Sequence, residues 1–252
     1  NDQIKKISIT ESRVFISGPS GSGKELIARK IHKSSKRNNK PFIVLNGALL
    51  DFNKYELELF GEEKENGSIS YGALEKANKG TLLIDQVSEI PLDIQSKILR
   101  VLIDQKFKRV NGSNDLSVDV RLICSSSKDL KKEIEIGNFR EDLFHRINVF
   151  EINIEPLSQR ISDIPLLIKY FSKKISVNYK IRELDIDEND SYILNHNWHG
   201  NVRELRNLIE RIAILQPDTK DKISNIIKES LKNTNFDDQL AENSLSVPLK
   251  EA

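Results

Sequence analysis

Lys24 closes a glycine-rich run, Gly18-Pro19-Ser20-Gly21-Ser22-Gly23-Lys24-Glu25. Glycines let a backbone curl so that its N–H groups point inward at phosphate oxygens, and a lysine at this spacing adds a full charge for the terminal phosphates. The run follows apolar Val14-Phe15-Ile16 and leads into Leu26, Ile27, Ala28 and Ile31 at helical spacing. Strand, glycine loop and helix is the context a P-loop needs, and the helix N-terminus adds partial positive charge. The alternative, a plain Gly/Ser turn, has no use for the lysine. The general pattern ends in Ser or Thr, whose hydroxyl binds magnesium; here that position is Glu25. Downstream, apolar Thr81-Leu82-Leu83-Ile84 ends in Asp85 and Gln86. An acid at such a strand end is a common turn former when it stands alone. Coupled to a P-loop it has the form of a Walker B element, with Asp85 holding magnesium directly or through water.

The elements that must position these groups follow from hydrophobic periodicity. Strands are predicted at 13–17, 42–46, 81–86, 120–126 and 149–154, and helices from the glycine loop to 35, at 55–60, 72–77, 91–105, 128–136 and 139–147. Residues 62–71 are polar and glycine-containing and read as an exposed loop. Continuous apolar strands alternating with helices predict an α/β fold, a five-stranded parallel sheet covered on both faces. Ligands of such sheets bind where the strand ends converge, here on the glycine loop. After Glu155-Pro156 strand signals stop, and helices are expected at 163–174, 187–197, 201–215 and beyond 218. The chain thus divides into a nucleotide-binding part at 1–157, an all-helical part at 158–230 and a polar linker at 231–252.

Bulk composition excludes several classes. The 252 residues carry 39 basic and 38 acidic side chains, a net charge of +1, so there is no global basic field for nucleic acid. Lys33, Lys36, Arg37 and Lys40 cluster after the first helix, and a solvated helix end accounts for them. Cys124 is the only cysteine and lies in an apolar strand pattern, so it is expected to be a buried small hydrophobe in a reducing compartment. No apolar run approaches the roughly 20 residues of a membrane span, and no secretory leader pattern precedes the first strand; a cytoplasmic protein without membrane partners is expected. His145 and His199 lack companions at metal-ligand spacing.

The segments GPSGSGKELIARKIH, ELFG, GTLLIDQVSEIP, QSKILRVL, FREDLFHRINVF, DIPLLI and W-x-GNVRELRNLIER occur in this order. Together they resemble the AAA+ ATPase module of bacterial enhancer-binding proteins, the activators of sigma-54 RNA polymerase, over most of the chain. Within that family the ALEKANKGTLLIDQ and RVLIDQKFKRVNG segments are most similar to a response-regulator branch. The resemblance implies an AAA+ P-loop sheet followed by a helical lid, ATP or ADP with Mg2+ as cofactors, and self-association into a ring or dimer. It also implies DNA contact through a helix-turn-helix domain and control by a sensor histidine kinase through a receiver domain. Neither domain is represented in these residues, which read as a central module alone.

The family's roles fall residue by residue. Gly18, Pro19, Ser20, Gly21, Ser22, Gly23, Lys24 and Glu25 form the phosphate loop, a glutamate after the lysine being usual in this family. Asp85 resembles the Walker B aspartate. Arg140 and Arg146 resemble the arginines given to a neighbouring subunit's nucleotide, where a guanidinium neutralises charge on the γ-phosphate. Their alternative is a surface pairing with Glu141 and Asp142. Arg203 resembles the sensor arginine of the lid, its alternative being an ion pair on the lid itself. Asn46 resembles the asparagine that couples nucleotide state to the catalytic glutamate.

Three positions depart from the family. Gln86 stands where the glutamate that polarises water is expected; an amide orients a water through its carbonyl oxygen but takes no proton from it. The GAFTGA loop that touches sigma-54 is absent between Gly61 and Gly72. Ser127 replaces the sensor asparagine. The expectation is therefore an ATP-binding module of a two-component transcription regulator whose nucleotide controls oligomerisation, with weak hydrolysis and doubtful sigma-54 contact. The alternative is an active ring ATPase that remodels sigma-54 RNA polymerase. A P-loop kinase is a third reading, opposed by the arginine pair and the lid.

Overall fold

A computed structural model describes residues 2–51 and 54–244. Its elements are, in order, α1 (Asp2–Ser8), β1 (Val14–Ser17), α2 (Lys24–Lys33), β2 (Phe42–Asn46), α3 (Tyr55–Phe60), β3 (Gly61–Glu63), β4 (Ile69–Tyr71) and α4 (Ala73–Lys76). Then come β5 (Thr81–Asp85), α5 (Leu92–Asp104), β6 (Lys106–Phe107), β7 (Leu116–Ser117), β8 (Arg121–Ser126), α6 (Leu130–Glu135), α7 (Glu141–Ile147) and β9 (Phe150–Asn153). The last are α8 (Ile164–Tyr179), α9 (Ser191–Leu194), α10 (Asn201–Leu215) and α11 (Lys220–Ser244).

The main sheet has five strands in the order β2-β5-β8-β1-β9, all parallel. Its apolar strands feed two cores because side chains alternate across the pleat. Phe15, Leu82, Ile84, Leu122 and Cys124 pack with α3, α5 and α7 on one face. Val14, Ile16, Leu83 and Ile123 pack with Ile7 of α1 and Ala28 and Ile31 of α2 on the other. Each such fully buried Leu or Ile stabilises the fold by about 1.5–3 kcal/mol. This double coverage is why the strands read as unbroken apolar runs. Cys124 is the buried hydrophobe expected, and burial pushes its thiol well above the ordinary range.

Several segments differ from the sequence expectation, which had no element for α1 or for the short antiparallel pair β6–β7. Residues 62–71, read as an exposed loop, form with Gly61 an antiparallel hairpin of β3 and β4 in which Gly61 lies opposite Tyr71. The turn closes on Gly67 in the left-handed region, with Lys64 N–H donating to the Ser68 carbonyl at 2.9 Å. A polar strand pairs here because a neighbour holds it: Glu63 N–H donates to the Val110 carbonyl at 3.0 Å and Val110 N–H to the Gly61 carbonyl at 2.9 Å. The helix expected at 187–197 shrinks to α9, since Asp187 accepts from Asn189 N–H in a turn and Asp190 caps a helix that starts only at Ser191. The stretch from 231, expected to be a polar linker, is helical in α11 as far as Ser244; residues 245–252 lie outside the described residues.

The chain separates into two compact units, one ending at Ile154 and one starting at Glu155. The second has its own core, where Leu157, Ile164, Ile168, Leu205, Ile209, Ile212 and Ile227 surround Trp198. The Trp198 indole N–H donates to the Ile193 carbonyl at 3.0 Å, so its one polar atom is satisfied inside that core.

Candidate nucleotide-binding site

The glycine loop leaves β1, an inner strand of the sheet flanked by β8 and β9. Gly18 has φ 144° and Gly23 φ 104°, conformations that side-chain-bearing residues rarely adopt. A Cβ at Gly18 would lie 2.5 Å from the Ile154 carbonyl oxygen, so both conformation and space require glycine there. α2 starts at Lys24 without a side-chain cap on Gly23. Its first-turn N–H groups therefore keep their positive end directed at the loop.

Lys24 is buried, and its ammonium donates to the Gly18 carbonyl at 2.8 Å and the Pro19 carbonyl at 3.0 Å. Two fixed carbonyls hold the charge inside the loop. Glu25 turns away from it: its carboxylate pairs with Arg29 at 2.7 Å, and Arg29 stacks over the Phe42 ring. The Arg29 pairing explains how this position accommodates an acid so near the loop. Pro19 closes the loop through its carbonyl, which accepts from Ser22 N–H at 3.3 Å; Ser22 is buried and Ser20 exposed.

At the ends of β2, β5 and β8 stand Asn46, Asp85 with Gln86, and Ser127. Asn46 and Asp85 are register partners. One Asp85 carboxylate oxygen accepts from the buried Ser125 hydroxyl of the adjacent strand. Gln86 lies in the left-handed region at φ 56°, ψ 53°. Its side-chain oxygen accepts from Ser127 N–H at 3.0 Å and Ser127 Oγ–H at 2.9 Å. Because a backbone N–H only donates, this pairing settles which end of the amide is oxygen. In this arrangement both lone pairs of the Gln86 amide oxygen already have donors.

Asn46 does not bond Gln86. Its side-chain oxygen accepts from Ala48 N–H at 2.9 Å, capping the short turn at Gly47–Leu49. Tyr55 braces the same turn, its hydroxyl donating to the Gly47 carbonyl and lying 3.1 Å from the Glu89 carbonyl. Glu89 is no free base, since its carboxylate pairs with Lys128 at 3.0 Å.

Arg140 and Arg146 bracket α7. Arg140 makes a two-pronged pair with Asp142 at 3.0 and 2.7 Å, which holds the Asp142 carboxyl below its ordinary range. Arg146 is exposed, and among the described residues its guanidinium has no ion pair. Two residues that sequence reasoning passed over position this helix. Gln95, fully buried on α5, accepts from Arg140 N–H at 2.9 Å and donates to the carbonyls of Ile90 and Asn138. A glutamine inside the apolar stripe Ile94, Ile98, Val101 was the available signal. Arg13 donates to the carbonyls of Leu102 and Arg146, tying the ends of α5 and α7 together. Burial, then the neighbouring Arg146 charge, lowers its pKa.

Arg203 lies exposed on the first turn of α10 in the second unit. Among the described residues no cluster of three His, Cys, Asp or Glu side chains could hold a metal. No described helix is long and apolar enough to cross a membrane. In place of a GAFTGA loop, the β3–β4 hairpin is clasped by Arg109, which pairs with Glu63 at 2.8 Å and Glu75 at 2.6 Å and lies over the Tyr71 ring.

A five-stranded parallel sheet with the glycine loop after an inner strand, followed by an all-helical unit, defines a P-loop ATPase fold of the AAA+ class. The sigma-54 interaction domain family matches residues 1–153 and the AAA+ ATPase lid domain family matches residues 158–243, and the chain belongs to this AAA+ family. It is 41% identical to the nitrogen assimilation regulatory protein NtrX of Azorhizobium caulinodans, over 99% of this chain and 56% of that protein. The crystal structure of NtrX from Brucella abortus in complex with ATP is similar at a TM-score of 0.86 and 41% identity, over 92% of this chain and 52% of that one. The same protein in complex with ADP is similar at a TM-score of 0.82 and 43% identity, over 87% of this chain and 52% of that one. The chain thus spans about half the length of the curated relatives it matches.

Proposed function

We propose that this chain is the ATP-binding AAA+ module of an NtrX-like transcription regulator in which bound nucleotide sets self-association, with hydrolysis weak. The observation that carries this reading is Gln86, whose only acceptor atom already takes two hydrogen bonds from Ser127. A general base must sit within hydrogen-bond reach of the proton it removes, and such help is worth about 10²–10⁴ in rate. An amide at this position has no proton affinity to offer, and its oxygen is engaged.

Binding needs none of that. The loop from Gly18 to Gly23 and the N-terminus of α2 offer N–H donors to phosphate oxygens, and Lys24 neutralises their charge. Asp85, held by Ser125, is the hard oxygen donor at this edge and suits Mg2+ bound through water. That ion would screen the β- and γ-phosphate charge. Glu25 takes no part in this, being paired with Arg29. Arg146, exposed on α7, would reach the nucleotide of a second copy in a ring or dimer, with Arg140 beside it and Arg203 supplied by the lid. The Asp142 pairing makes Arg140 the weaker candidate. DNA and a sensor kinase would be reached through domains outside these residues. The clasped hairpin without a Phe-Thr pair argues against the usual sigma-54 contact.

Single-turnover ATP hydrolysis by the purified chain beside a Gln86→Glu variant tests the reading. Faster turnover in the variant supports it; equal rates would sink it. The competing reading, a ring ATPase that remodels sigma-54 RNA polymerase, is favoured by one observation, the exposed Arg146. It requires hydrolysis that depends on protein concentration and is lost in Arg146→Ala.

A further inference from the structure

The Gln86 amide has two ends, and only one is occupied. Its oxygen accepts from Ser127 N–H and Ser127 Oγ–H. Its nitrogen carries two N–H donors, and among the described residues no protein acceptor meets them. The residue is half-buried at the edge where β5 ends beside Asp85. Its backbone is locked as well. A Cβ at Gly47 would lie 2.5 Å from the Gln86 carbonyl oxygen, so the turn after β2 packs directly against it. The φ of 56° is a conformation that persists only where surroundings enforce it.

We propose that Gln86, oriented by Ser127, is a hydrogen-bond donor to the terminal phosphoryl group and makes the site discriminate ATP from ADP. The proposal rests on the nucleotide reading above and adds a specificity to it. The chemistry is complementary in a way the family's glutamate is not. γ-Phosphate oxygens are anionic and accept only; the free end of the amide donates only. A carboxylate at this place would repel them. ADP has no γ-phosphate, so the contact is made with ATP alone. Ser127 is a positioning residue here: it touches the amide oxygen, and by holding that end it leaves the nitrogen as the end available to a ligand. The amide leaves no base at this place, and its orientation supplies a sensor of the nucleotide's state.

The test is the ratio of two affinities, for the β,γ-imido analogue of ATP and for ADP, each with magnesium, measured by calorimetry on the purified chain. A hydrogen bond to a charged acceptor corresponds to roughly a tenfold change in affinity. Gln86→Ala is expected to weaken the triphosphate analogue about tenfold and leave ADP within about twofold. Ser127→Ala, which keeps the N–H but loses the hydroxyl, is expected to weaken the analogue about threefold, with Ser127→Thr restoring it. An unchanged ratio in Gln86→Ala would overturn the proposal. So would parallel loss of both nucleotides in Gln86→Ala, since that outcome marks a role in shaping the pocket. If the natural chain binds neither nucleotide, the failure lies in the nucleotide reading itself.

Discussion

The glycine loop and the end of β5 lie at the same edge of one sheet, yet they are built on different principles. The loop is a backbone device. Its conformation comes from glycines at positive φ and from the close approach of Gly18 to Ile154, and its one essential side chain, Lys24, is held by loop carbonyls. The end of β5 is a side-chain device. Asp85 depends on Ser125, and Gln86 depends on Ser127. Backbone geometry tolerates little change, because Gly18, Gly21 and Gly23 all lie at positive φ. A side-chain network changes its chemistry with one atom, since glutamine differs from glutamate only in the group that would take a proton. Phosphate cradling and proton removal therefore rest on different parts of this edge, and the proposed function assigns the glycine loop to the first and the loss of the second to Gln86.

The largest test of that separation is Gln86→Glu, expected to raise the single-turnover rate by about 10²–10⁴ while ATP affinity falls about tenfold or more with the amide donor lost. A matching rise in affinity would break the division between the two regions. Next is Lys24→Ala, expected to cut ATP affinity about a hundredfold, because two or more charge-assisted hydrogen bonds to phosphate disappear. Unchanged affinity in a binding titration would remove the loop from the site. Gly18→Ala should destabilise the sheet unit by about 2 kcal/mol or more, a fall of roughly 4–8 °C in its melting temperature, from strain and the Ile154 clash together. Ser125→Ala leaves Asp85 without its buried donor and should cost about 1 kcal/mol of stability. It should also weaken magnesium-dependent ATP binding a few-fold, which titration with and without the metal would register.

The smallest effect is expected away from both regions, in the helical unit. Burial pushes the Glu204 carboxyl up, but His196 at 2.8 Å and the Gly200 N–H at 2.9 Å pull it below its ordinary value of 4.5. A lowered carboxylate stabilises the fold above its unfolded pKa, and that contribution is lost as pH falls through the folded value. Acid unfolding of the second unit should therefore steepen below about pH 4, and Glu204→Gln should flatten the profile followed by circular dichroism. No change in nucleotide affinity is expected from it.

Much of the fold was legible in the sequence because its strands are buried on both faces. Unbroken apolar runs such as 81–84 admit few other readings once a glycine loop and helices alternate with them. The 61–71 hairpin was not legible, since its residues are polar and its pairing depends on Val110 and Arg109, more than thirty positions away. Gln95 and Arg13 were missed for a related reason. Each looks ordinary by type, and only the meeting of α5 with α7 gives it partners.

By itself the sequence determined the five strands of the main sheet and the helices between them, the phosphate loop and the identity of the residue after Asp85. These are local matters: glycine spacing, hydrophobic period and side-chain type act over a few positions. Only the tertiary structure decided what Gln86 can do. Its partner, Ser127, is 41 residues away in the chain and is brought beside it because β5 and β8 are neighbours in the sheet. A hydrogen bond has direction, and which end of an amide is free is settled by the donor that packing places against the other.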